Sequence, residues 1–192
     1  MAKLYFKTGA MGSGKSLDLI RAVYNYRERG MEVVVYKPRV DTRDGHSDCK
    51  VKSRTGAEVE AEWIGFTDEV GKLLLNHEIK KIKAVFIDES QFLSKEQVDG
   101  LQKICYNLDI PVICYGLKLD FKSHLFEGSK RLIELSDDVQ ELIGICHCGA
   151  RAKQNAKIVN DKMVTQGDVV EIGGNELYVG VCNKCYFKRR IN

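Results

Sequence analysis

Leu4-Tyr5-Phe6-Lys7-Thr8 followed by Gly9-Ala10-Met11-Gly12-Ser13-Gly14-Lys15-Ser16 is the stretch whose reading decides the fold. The first five residues have the apolar, β-rich character of a short strand. The next eight fit the pattern G-x-x-x-x-G-K-[ST]. Behind them Leu19, Ala22, Val23 and Tyr26 recur at helical spacing, which predicts a helix over residues 15–29. Gly30 stands where a left-handed cap ends such a helix. A strand, a glycine-rich turn and an amphipathic helix in this order form the setting that a phosphate-binding loop requires. Glycines let successive backbone N–H groups turn inward onto phosphate oxygens, and the helix presents its positive end to the same anion. Lys15 is suited to the charge of the β- and γ-phosphates, and the Ser16 hydroxyl is suited to Mg²⁺. Residues 9–16 are therefore expected to bind a nucleoside triphosphate, ATP first among them.

Outward from the loop, strands and helices alternate. Residues 33–36 form a continuous β-branched run ended by Pro38, as in a strand covered on both faces. Residues 40–65 are polar and turn-rich, with alternation around Val59 that suggests a hairpin. A helix is expected over 67–76, a buried strand over 84–87, and a helix from the capping box of Ser94 and Gln97 to about Asn107. Further strands are expected over 111–115 and 139–145. The alternation predicts an α/β fold of the P-loop NTPase, RecA-like kind, with a mostly parallel sheet and helices on both faces. After Cys146 apolar runs shorten and cysteines enter. The expected division is a nucleotide-binding domain over 1–143 and a small β-rich, zinc-binding domain over 144–192.

The strand over 84–87 ends in Asp88-Glu89. Ligands gather at the carboxyl ends of parallel strands. Asp88 is placed to hold Mg²⁺, and Glu89 beside it to take a proton, either from water in an ATPase or from a substrate hydroxyl in a kinase. The pattern alone leaves both open. Four of the seven cysteines fall in two tight pairs, Cys146 with Cys148 and Cys182 with Cys185, separated by 33 residues. Four thiolates suit a closed tetrahedral zinc site, which is structural. His147 lies inside the first pair and is an alternative ligand, with the four cysteines favoured. Zinc would staple the foot of the long intervening segment.

Composition narrows the alternatives. A net charge of +3 with no basic and aromatic stripe argues against a nucleic-acid-gripping motor. No apolar run reaches membrane-spanning length, and an odd number of cysteines argues against a disulfide framework, so a cytoplasmic protein with no membrane partner is expected. A non-catalytic nucleotide-binding regulator would have no use for Glu89.

Taken together the motifs resemble the type II thymidine kinases. The resemblance is carried by residues 9–16, Asp41-Thr42-Arg43, Asp88-Glu89-Ser90-Gln91-Phe92, Tyr115-Gly116-Leu117, Asp120-Phe121, the cysteine pairs, and Ile172-Gly173-Gly174-Asn175-Glu176-Leu177-Tyr178. It runs from Leu4 to Cys185. It implies transfer of the γ-phosphate of ATP to the 5′-hydroxyl of thymidine. By this resemblance Glu89 is the base and Arg43 offsets transition-state charge. Asp41 joins Ser16 and Asp88 near Mg²⁺, and Ser90 and Gln91 belong to the nucleotide site. The thymine pocket is implied to comprise Met11, Phe92, Leu117, Phe121 and Tyr178 with the backbone of Val169, Val170, Glu171, Ile172 and Gly173. The segment between the cysteine pairs becomes a lasso over the base. A homotetramer and feedback by dTTP are also implied. Two departures stand out: Ala10 replaces a proline common in the family loop, and the first cysteine pair is C-x-C.

Overall fold

The computed structural model describes residues 1–39, 49–167 and 178–190. Its centre is a six-stranded sheet built from β1 (Leu4–Thr8), β2 (Glu32–Pro38), β5 (Glu62–Ile64), β6 (Ile82–Ile87), β7 (Val112–Gly116) and β8 (Asp138–Glu141). The spatial order is β5-β2-β6-β7-β1-β8, and every pairing between these neighbours is parallel. One strand, β7, therefore lies between the strand that leads into the glycine loop and the strand that ends in Asp88-Glu89. All five residues of β7 are buried, as expected for a strand covered on both faces.

Helices flank the sheet. On one face α1 (Lys15–Arg27) buries Leu19 and Val23 against Val35, Ala84, Phe86 and Ile113. Tyr26 meets the Phe86 ring edge-on at 5.8 Å. The helix ends where Gly30 turns to a φ of 69°, which lets the Met31 N–H donate back to the Tyr26 carbonyl at 3.1 Å. On the other face α2 (Val70–Leu73), α3 (Lys95–Leu108) and α4 (Glu127–Leu135) cover Leu4, Phe6, Val85, Ile87 and Val112. The start of α3 is fixed by the predicted box: Ser94 Oγ accepts from the Gln97 N–H at 3.2 Å, and Gln97 Oε1 accepts from the Ser94 N–H at 3.0 Å.

Four differences from the sequence reading have local causes. The expected helix over 67–76 shrinks to α2 and a following tight turn over Leu74–Asn76. The Asp68 carboxylate accepts from the Gly65 N–H at 2.7 Å, and this turn occupies the residues that would have begun the helix. The polar stretch does contain an antiparallel hairpin, β3 (Lys50–Lys52) with β4 (Glu58–Glu60). Its alternation runs on past Ala61 into β5, which leaves the hairpin and pairs with β2 as an edge of the main sheet. The expected strand over 139–145 is split into β8 and β9 (Gly144–Ile145). Helix α4 was not anticipated; its N-cap is Phe126, with no side-chain cap to mark it.

Beyond β8 the chain forms a small β module. In it β9 pairs with β10 (Arg151–Ala152), and β11 (Gln154–Val159) lies between β12 (Lys162–Val164) and β13 (Tyr178–Val181). The short α5 (Asn183–Phe187) closes it. Its core is slight: Ala156, Met163, Val181 and Tyr186 around three buried cysteines. Among the described residues no helix is long and apolar enough to cross a membrane.

Candidate active site and metal centre

The glycine loop joins β1 to α1 at the carboxyl end of the sheet. Gly12 and Gly14 have φ of 76° and 81°, in the region that glycine tolerates without strain. Gly9 is required for a different reason: a β-carbon there would stand 2.7 Å from the Leu142 carbonyl oxygen. The Lys15 ammonium donates to the carbonyls of Gly9 (3.2 Å) and Ala10 (3.0 Å). Burial pulls the pKa of Lys15 down, while Glu89 and Asp88 oppose that by charge. Ser16 begins the helix beside it, half-buried. Behind the loop Asp18 gathers Lys7 (2.8 Å), Arg21 (2.5 Å) and the Tyr115 hydroxyl (3.0 Å).

Asp88 directly follows β6 and is 4% exposed. Burial raises its pKa, and the neighbouring Glu89 charge raises it further. Glu89 takes a left-handed conformation, φ 50° and ψ 36°. Its carboxylate accepts from Gln91 Nε2 at 2.6 Å, and Gln91 Oε1 accepts from the Leu117 N–H at 3.0 Å. Gln91 thus spans the acid and the segment after β7. Ser90 donates to the Tyr115 carbonyl at 2.9 Å, which ties the ends of β6 and β7 together. The unanticipated α4 underlies this frame. A β-carbon on Gly128 would meet the carbonyls of Leu93, Ser90 and Gln91, and Ser129 Oγ donates to the Leu117 carbonyl at 2.5 Å.

Three of the expected pocket residues, Phe92, Phe121 and Tyr178, fall in two aromatic contacts. Phe92, half-buried, meets Phe126 edge-on at 5.7 Å. Phe121, 2% exposed, meets Tyr178 at 6.3 Å, with the Lys157 ammonium 5.1 Å from the Phe121 ring centre. The segment carrying Leu117 and Phe121 is folded back on itself by Asp120, whose carboxylate accepts from the N–H groups of Lys122 and His124 at 2.8 Å each. The Tyr186 hydroxyl donates to the Phe121 carbonyl at 2.6 Å, so the β module grips this segment. Asp41 and Arg43, and the expected backbone wall of Val169, Val170, Glu171, Ile172 and Gly173, lie outside the described residues.

Sequence reasoning missed the join between loop and module. Asn155, 3% exposed on β11, accepts from the Met11 N–H through Oδ1 (2.8 Å) and donates to the Leu119 carbonyl through Nδ2 (2.6 Å). Nearby, a β-carbon on Gly180 would stand 2.5 Å from the Met11 carbonyl oxygen. These contacts bind the glycine loop, the 117–126 segment and the β module into one unit. A lone polar residue in a β-like run carries no sequence signal for such a role.

Within the module, the sulfurs of Cys146, Cys148, Cys182 and Cys185 lie within 4.8 Å of one another. Four thiolates at about 2.3 Å from zinc would stand about 3.8 Å apart along a tetrahedron's edge. Cys148 Sγ and Cys182 Sγ are 3.7 Å apart, so the quartet fits the ion. His147 is not part of this group. Its ring nitrogens lie 3.6 Å from Cys146 Sγ and 3.4 Å from Cys185 Sγ, positions for hydrogen bonding to the ligands.

The family model of thymidine kinase matches residues 2–186. The thymidine kinase of Zymomonas mobilis subsp. mobilis is 41% identical, over 98% of each chain. That of Photobacterium profundum is 46% identical over 97% of each chain, and that of Streptococcus pyogenes serotype M3 is 43% identical over the whole of both. With a glycine loop, an acid pair at a strand end and a cysteine quartet held in one frame, and with relatives matched along its length, the chain belongs to the thymidine kinase family.

Proposed function

We propose that the protein transfers the γ-phosphoryl group of ATP to the 5′-hydroxyl of thymidine, giving dTMP and ADP. The observation that carries this reading is Glu89, turned by its left-handed backbone and held by Gln91 within electrostatic reach of Lys15. The nucleoside oxygen attacks the γ-phosphorus as the bond to the β–γ bridging oxygen breaks. Glu89 takes the hydroxyl proton, and the released ADP carries the bridging oxygen. Lys15 and the N–H groups of residues 9–16 hold the phosphates. Arg43 serves as a further cation for the transferring group.

Ser16 and Asp88, with Asp41, are oxygen donors of the kind that suits Mg²⁺, and the buried Asp88 carboxyl beside the lysine of the loop fits that assignment. When bound, the ion would neutralise phosphate charge. Ser90 and Gln91 serve the nucleotide site as its frame. Met11, Phe92, Leu117, Phe121 and Tyr178, with the backbone of residues 169–173, enclose the pyrimidine. The four cysteines hold a structural zinc that takes no part in the reaction. The chain divides into a nucleotide-binding domain over 1–143 and a zinc-binding lasso domain over 144–192. It works in the cytoplasm as a homotetramer and is inhibited by dTTP, whose base and triphosphate would occupy both halves of the site at once.

The test uses γ-labelled ATP, Mg²⁺ and a panel of nucleosides. Label is expected on thymidine and not on cytidine or purine nucleosides; label only in free phosphate would overturn the reading. Glu89→Gln should lower kcat by about 10²-fold or more without weakening ATP binding, as for loss of a general base.

A further inference from the structure

The hairpin of β3 and β4 has no role in the mechanism so far, yet its tip reaches the glycine loop. Val51 and Val59 are buried in the same cluster as Leu19 and Val23 of α1, so the hairpin is clamped to the helix that follows the loop. Its turn is closed by hydrogen bonds from the Ser53 N–H to the Ala57 carbonyl (2.8 Å) and from the Gly56 N–H to the Ser53 carbonyl (3.1 Å), with Gly56 at a φ of 88°. This turn carries Arg54. One guanidinium nitrogen, Nη1, lies 3.6 Å from the point where a β-carbon on Gly12 would stand.

The charges on the hairpin are unequal in their partners. Lys50 pairs with Glu58 at 2.7 Å and Glu60 at 3.2 Å, and Lys52 approaches Glu58 at 3.9 Å. Arg54 makes no ion pair or side-chain hydrogen bond with any described residue. Its charge instead bears on the loop: Lys15 feels Glu89 and Asp88 as opposite charges and Arg54 as a like one. Two cations turned toward one glycine loop repel each other unless an anion lies between them. A planar fork of N–H donors suits phosphate oxygens on geometry as well as charge.

We propose that Arg54 is a catalytic residue that binds the terminal phosphate of the nucleoside triphosphate and stabilises the phosphoryl group in transfer. It does so from the hairpin tip, beside Gly12 of the loop. The proposal rests on the kinase reading above. It differs from the part given to Arg43, because it assigns the γ-phosphate contact to a side chain of the described hairpin.

The experiment compares wild type with Arg54→Ala, Arg54→Lys and, as a control on the same hairpin, Lys52→Ala. Phosphoryl transfer to thymidine and the affinities for ADP and a non-hydrolysable ATP analogue are measured in each. Arg54→Ala should lower kcat by about 10²–10³-fold, the loss expected when one donor to a charge-developing group is removed. Its affinity for the triphosphate analogue should fall while that for ADP and the KM for thymidine hold. Arg54→Lys should recover little of the rate, because a point charge cannot replace the fork. Lys52→Ala should behave as wild type. Wild-type kcat in Arg54→Ala would overturn the proposal, as would equal losses of ADP and triphosphate affinity. If wild type leaves thymidine unlabelled, the kinase reading fails, and the triphosphate-against-diphosphate split still decides the phosphate contact of Arg54.

Discussion

Asn155→Ala is the perturbation that most directly probes how the β module and the glycine loop are joined. Asn155 sits 3% exposed with both halves of its amide engaged, at 2.8 Å to the Met11 N–H and 2.6 Å to the Leu119 carbonyl. Truncation leaves one donor and one acceptor without partners in a closed setting. Each such group costs about 1–3 kcal/mol, so the loss should be about 2–6 kcal/mol, toward the lower end if water enters the gap. For a chain of this size that corresponds to a fall in Tm of about 4–24 °C. The kinetic effect should exceed the stability effect, because Met11 lies in the glycine loop proposed to hold the phosphates and Leu119 lies in the same segment as Phe121. A shift of about 1 Å in either would cost about 10²-fold in kcat/KM. Asn155→Asp separates the two bonds: its oxygen still accepts from Met11, but it turns an acceptor toward the Leu119 carbonyl. It should therefore impair thymidine binding more than ATP binding. Thermal melts and steady-state kinetics on the three proteins are sufficient. A Tm for Asn155→Ala within about 1 °C of wild type, with unaltered kcat/KM, would refute the idea that this amide joins the parts.

Three further outcomes are expected. Asp18 is opposed by burial, but hydrogen bonds from Lys7, Arg21 and Tyr115 together hold its carboxyl below the usual range. A depressed folded pKa contributes stability that is complete above the unfolded value of about 3.9 and is lost as pH falls through the folded one. The Tm gap between wild type and Asp18→Asn should thus stay constant from pH 8 to about 5 and close at lower pH; a gap that persists undiminished into strong acid would contradict it. Metal analysis should find about one zinc per chain, absent from the Cys182→Ser, Cys185→Ser double variant, which should also bind thymidine poorly. Wild-type thymidine affinity in a zinc-free double variant would disconnect the metal from the pocket. Gln91→Leu frees the Glu89 carboxylate and strands the Leu117 N–H, so kcat should fall by about tenfold or more while ATP affinity holds; equal kcat would remove Gln91 as the residue that orients the acid.

How much of this was legible in the sequence depended on how local each signal was. The glycine loop, the capping box of Ser94 and Gln97, and the strand ending in Asp88-Glu89 are written in adjacent residues, and the structure forms them where expected. The cysteine pairs are legible because each pair is itself local, so only their meeting had to be inferred. Helix α4 was invisible because Phe126 offers no cap, although its Gly128 and Ser129 pack under the acid segment. Arg54 and Asn155 were invisible for a different reason. Arg54 approaches Gly12 and Asn155 meets Met11 only after the sheet has ordered the chain between them, a separation of 144 positions in the second case. No periodicity or spacing records such a contact.

The left-handed backbone of Glu89 has a consequence for how this site can change over generations. A non-glycine residue at φ 50° carries a conformational penalty of about 1–2 kcal/mol. Glycine at that position would relieve it, as asparagine would in part, while removing the carboxylate. On the proposed role of Glu89 as the base, a substitution that removes turnover is therefore one that stability alone favours. A lineage released from the need to phosphorylate, but still required to fold, would be drawn toward glycine here. If Glu89 is the proposed base, its left-handed backbone is a stability cost that the reaction itself requires.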